Sequence, residues 1–137
     1  MKITSQALDH IIEEHLHESS NVYPTLAAGV AVTGGAAWVL GAFVQIMPAS
    51  TASDRFDIHF VSIEDLDTNA VYELVLYHGA GDTEYARTRF TKNAVQDGVM
   101  NVPIQGPIIA PTERIRAKLA DSSGGSVATI SLFYHVY

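Results

Sequence analysis

No cysteine occurs among the 137 residues, which excludes a disulfide framework, a thiolate nucleophile and a Cys-based zinc site. Such a chain can assemble in a reducing cytoplasm and still survive outside the cell. Positive charge is scarce, with 8 Lys and Arg against 15 Asp and Glu. Nucleic-acid affinity rests on clustered cations that release counterions, so no nucleic-acid partner is expected. A hydrophobic share of 47% is too apolar for a disordered chain, and the length suits one domain with its own core.

Charge of either sign is missing from residues 19–53. Within that region VAVTGGAAWVLGAFVQIM, residues 30–47, raises the question of a membrane span. A transmembrane helix needs about 20 apolar residues. Gly34-Gly35 and Gln45 interrupt this run, and neither flank carries the Lys or Arg of a positive-inside anchor. Alternation fits better: Trp38, Leu40, Val44 and Ile46 fall on one face of a strand, and Val39, Phe43 and Met47 on the other. The expectation is a buried strand over residues 36–47, joined by a turn at Thr33-Gly34-Gly35 to another strand over about residues 26–32. A strand apolar on both faces is covered on both, here by a second sheet and by a neighbouring subunit. Trp38 is expected in the core, and no membrane partner is expected.

The N-terminal stretch MKITSQALDHIIEEHLHESS has one Lys, four acids and no apolar core, so it does not read as a signal peptide. Leu8, Ile11, Ile12 and Leu16 recur at three- and four-residue intervals, the pattern of an amphipathic helix with Ser5 as its N-cap. ESSNVYP reads as a polar linker, and Pro24 stops any helical continuation. The expected organisation is a helical arm and linker over residues 1–21, followed by a β-domain over residues 22–137.

Beyond the linker the signals are strands and turns. RFDIHFVSI sets Phe56, Ile58 and Phe60 against Asp57, His59 and Val61. VYELVLYH follows the turn EDLDTN, and YARTRFT puts Arg87 and Arg89 opposite Ala86, Thr88 and Phe90. Pro103 interrupts GVMNVPIQ and marks an edge or bulged strand. ERIRAKLA alternates Ile115, Ala117 and Leu119 inward with Arg114, Arg116 and Lys118 outward. DSSGGS is a turn, and VATISLFYHVY has the β-branched and aromatic content of a strand. About eight strands without intervening helices predict an all-β, antiparallel β-sandwich, jelly-roll-like in topology.

Candidates for chemistry are few. His10, Glu13, Glu14 and His17 share one face of the expected helix and match a zinc inventory, but the order is not HExxH. A solvated polar face is the preferred reading. DLDTN, Asp65 to Asn69, begins like a calcium loop, yet Ala70 replaces its glycine and Leu76 its terminal glutamate. His59, His78 and His135 sit on expected strands and read as packed or interface histidines. Arg87, Arg89, Arg114 and Arg116 make either a basic stripe or, as preferred, cross-strand pairs with Glu73, Glu84 or Glu113. Neither DSSGG nor GAGDTE is a nucleophile elbow or a P-loop. No catalytic, metal or cofactor-binding set is expected, and no enzyme.

FDIHFVSIEDLDTNAVYELVLYHG, RTRFTKNAVQ and KLADSSGGSVATISLFYHVY together resemble small virion structural proteins of tailed bacteriophages, most closely those that decorate or cement the head. YPTLAAGVAVTGG and WVLGAFVQIMPA resemble the same group, so the likeness covers about residues 22–137. It implies a jelly-roll-like homotrimer without an active site, bound to the major capsid protein lattice. Its place would be the virion surface, after assembly in the host cytoplasm. The family has no site motif to carry onto single residues. In that setting Leu8, Ile11, Ile12 and Leu16 are the expected partner-binding stripe, docking on the shell or a sister subunit. The competing readings are a tail, baseplate or host-recognition module that binds a surface glycan, and a free sugar- or calcium-binding module.

Overall fold

The computed structural model describes residues 21–25, 28–95 and 100–137. The arm, with its expected helix, lies outside the described residues. Nine strands are present among those described: β1 (Asn21–Tyr23), β2 (Val30–Thr33), β3 (Val44–Met47), β4 (Phe56–Leu66), β5 (Ala70–His78), β6 (Thr83–Lys92), β7 (Met100–Pro103), β8 (Ile115–Asp121) and β9 (Val127–Val136). One sheet runs β1-β9-β4-β7, with β2 also on β9, and the other runs β3-β8-β5-β6. Every named pairing is antiparallel. The expected antiparallel β-sandwich is the fold. β1 and β2 share one partner strand, so together they act as one interrupted strand. From β2 to β5 the chain then changes sheet at every step.

Strand alternation explains the core. On β8, Ile115, Ala117 and Leu119 are fully buried, as expected, in one core cluster with Tyr72, Leu74 and Leu76 of β5 in the same sheet and Ile130 and Leu132 of β9 in the other. Leu74 pairs with Leu119, and Leu76 with Ala117, so the inward residues form rows across the ladder. Pro103 ends β7 at the sheet edge, where its missing N–H costs no ladder bond.

Three expectations are corrected. Asn21 to Tyr23 forms β1 rather than part of a linker. The simple alternation of β4 fails, because register shifts at His59 and Glu64 each insert one residue opposite β9. Each bulge reverses the faces beyond it. Phe60 is therefore exposed, and Val61 takes the buried position. The third correction concerns the uncharged run. Residues 30–47 form β2, a loop and β3, and β2 and β3 belong to different sheets rather than to one hairpin. No helix among the described residues is long and apolar enough to cross a membrane. Leu40 lies in that loop and is only partly buried.

Candidate functional site

The loop between β2 and β3 builds the first candidate surface. It leaves β2 along β8: the Gly34 amide donates to the Ser126 carbonyl, the Trp38 amide to Asp121 and the Gly41 amide to Leu119, at 2.8, 2.8 and 2.9 Å. Its last residue, Phe43, lies on the outer face of the β3-β8-β5-β6 sheet. The Phe43 ring packs edge-on against Tyr77 at 4.9 Å, with the Arg116 guanidinium and the Lys118 ammonium each 4.1 Å from its centre. Val75 points to the same outer face between Lys118 and Arg87, and it is fully buried. This face is thus partly covered by its own loop and by the apolar stems of its cations.

Trp38 stands out within that loop. Its φ is +62°, a left-handed conformation that a bulky residue adopts only when its surroundings impose it. Its side chain is 50% exposed beside Val39 at 54%, and the Arg89 guanidinium lies 5.4 Å from the indole. The core position expected for Trp38 is wrong. Counting alternate positions treated residues 36–43 as a strand, whereas turns and backbone bonds to β8 set their course. The glycines at 34, 35 and 41, which bracket the segment, are the sequence signal that pointed to a loop.

The arginines do not form a free basic stripe. Arg87 pairs with Glu84 at 2.8 Å and with Glu73 at 3.4 Å, while Arg89 approaches Glu73 at 3.8 Å. Arg114 and Arg116 meet Asp82 in the β5–β6 turn, at 3.4 and 2.9 Å, rather than Glu113. Glu113 instead takes His78 Nδ1 at 2.7 Å. The preferred expectation of cross-strand pairing holds for Glu73 on β5, which meets Arg87 and Arg89 of β6, whereas Glu84 pairs with Arg87 along β6 itself.

The other sheet carries a second cluster on its outer face. Asp57 sits opposite His135 in the β4–β9 ladder, and His59 follows two residues along β4. The His59 and His135 rings stack at 5.7 Å and 23°. The Tyr137 hydroxyl donates to Asp57 Oδ2 at 2.9 Å. A cleft of about 310 Å³ adjoins these residues, walled by Ile104, Gln105 and Gly106. Two of the three strand histidines therefore meet, and His78 stands apart.

In the Asp65–Asn69 turn, Asp67 is used internally. Its Oδ1 accepts the Val127 amide at 2.9 Å and the Thr68 hydroxyl at 3.0 Å. Leu8, Ile11, Ile12 and Leu16, with His10, Glu13, Glu14 and His17, lie outside the described residues. No family model and no curated protein matches the chain.

Proposed function

We propose that this protein is a non-enzymatic structural protein of a tailed-bacteriophage virion, a decoration or cement protein that binds the head shell as a homotrimer. The resemblance over residues 22–137 supplies the virion setting. The observation that carries a binding role is the mounting of Trp38, half exposed on a loop that backbone bonds to β8 hold in place. Trp and Arg dominate the energetics of protein interfaces, and a pre-ordered loop loses little further entropy on docking. Trp38 and Val39 form the contact between sister subunits, and the stripe Leu8, Ile11, Ile12 and Leu16 attaches the trimer to the shell. A trimer closed about a threefold axis matches a site where three shell subunits meet.

The same indole, with Arg89 beside it, favours a second reading: a tail, baseplate or host-recognition module with Trp38 as a platform for a surface glycan. Oligomeric state separates the two. Sedimentation of the full chain at micromolar concentration should give a trimer, and Trp38→Ala should give a folded monomer. A parent protein that sediments as a monomer, with Trp38 emission that responds to added glycans, supports the second reading instead. A trimer indifferent to Trp38→Ala overturns the assigned subunit contact.

A further inference from the structure

The cluster on the outer face of the β4–β9 pair is not explained by packing alone. Asp57, His59 and His135 each offer one ligand atom, and these atoms all lie within 4.8 Å of one another. Asp57 Oδ1 is buried and accepts no hydrogen bond, although His59 Nε2 is only 3.0 Å away. The ring nitrogen is close but not aimed as a donor. A buried carboxylate oxygen without a donor is costly, and a cation held against it removes that cost. The other oxygen is already fixed by the Tyr137 hydroxyl at 2.9 Å, the kind of outer contact that orients a ligating carboxylate.

We propose that Asp57, His59 and His135 bind a divalent transition metal of the zinc class, with a fourth position that opens into the adjoining cleft. Two imidazoles and one carboxylate are the ligand set of open zinc sites, which keep a place for water or an incoming group. Calcium and magnesium are disfavoured, because they take six or more oxygen ligands. Zinc bonds of about 2.0–2.2 Å place tetrahedral ligand atoms roughly 3.4 Å apart, so the cluster must tighten on binding. His59 can swing to do so, since its side chain is 41% exposed and it occupies the bulge of β4. Motif spacing does not reveal this site, because the strand register alone brings His135 to Asp57.

The test is titration of the tag-free, metal-free full chain with Co²⁺, followed by visible absorbance and then displacement by Zn²⁺. The expected result is one equivalent bound with the intense bands of four-coordinate cobalt. His59→Ala and Asp57→Asn should each weaken binding by on the order of 100-fold, and Tyr137→Phe by about 10-fold. Far-UV dichroism verifies that each variant is folded; should Asp57→Asn fail to fold, the exposed His59→Ala carries the test. The arm has its own histidines, so a variant with His10→Ala, His15→Ala and His17→Ala is measured alongside and should bind as the parent does. No cobalt band at millimolar metal, binding unchanged in His59→Ala, or binding lost only in the arm variant each overturns the site.

Discussion

The Trp38 amide donates to the Asp121 carbonyl at 2.8 Å, and the carboxylate of that same Asp121 holds the turn between β8 and β9. One fully buried residue therefore ties the exposed indole to the end of a core strand. The carboxylate accepts the Ser123 amide at 2.9 Å, the Ser126 hydroxyl at 2.8 Å and the Ser126 amide at 3.2 Å, together with the Gly124 amide. A loop mounted this way keeps its shape without a disulfide.

Acid should release that mount. Burial on its own raises the Asp121 pKa, but the bonds from the Ser126 hydroxyl and the Gly124, Ser126 and Ser123 amides outweigh it and hold the group below its ordinary 3.8. The unfolded chain then binds the proton more readily than the folded one. The stabilisation is complete above the ordinary value and is lost as pH falls through the depressed folded value. Melting temperature should fall below about pH 4, and Asp121→Asn should show a shallower acid decline from a lower neutral starting point. Equal acid slopes in parent and variant would contradict this role.

Gly124 is the backbone counterpart of that carboxylate. Its φ is +87°, and a Cβ there would press on the Ala37 amide nitrogen at 2.8 Å. Left-handed backbone costs a side-chain-bearing residue about 1–2 kcal/mol before any clash. Gly124→Ala should therefore destabilise by at least about 2 kcal/mol in urea unfolding. The nearby Gly125, with φ +73° and open space around its Cβ position, should lose less on the same substitution.

The bulge at His59 makes a prediction that residue size alone would reverse. Phe60 is 38% exposed and Val61 is fully buried. Val61→Asp places an unpaired charge between the sheets and should cost several kcal/mol or prevent folding. Phe60→Asp should cost about 1 kcal/mol and yield a soluble protein. Thermal melts of the two variants check this, and the opposite order would restore simple alternation.

Much of the sandwich was legible because burial follows a period of two wherever strands are regular. Ile115, Ala117 and Leu119 fall inward in the sequence and in the structure alike. Pro103 announced its edge through its missing donor. What escaped was everything set by partners distant in the chain. The bulges at His59 and Glu64 exist only opposite β9, so no local pattern marks them. Trp38 turned outward because residues 34–41 bond to β8 rather than pair as a strand of their own. The meeting of Asp57 with His135 is likewise a matter of register, and sequence spacing carries no record of it.

The arm should separate attachment from assembly. Four aliphatic side chains are a small stripe, each contributing about 1.5–3 kcal/mol when buried. Repeated three times in a trimer, such a contact gains by avidity. Deleting residues 1–20 should leave a folded trimer that co-sediments poorly with bare capsids. Undiminished capsid binding by the shortened protein would remove Leu8, Ile11, Ile12 and Leu16 from the attachment.

The central claim, a trimer that decorates a phage head, is tested most directly by electron microscopy of the virion that carries this chain. Two-sheet density is expected in groups of three on the outer surface of the head, over sites where three shell subunits meet. Each copy should turn its Trp38 loop toward its sisters. Density confined to the tail or baseplate, or single isolated copies on the head, would contradict it.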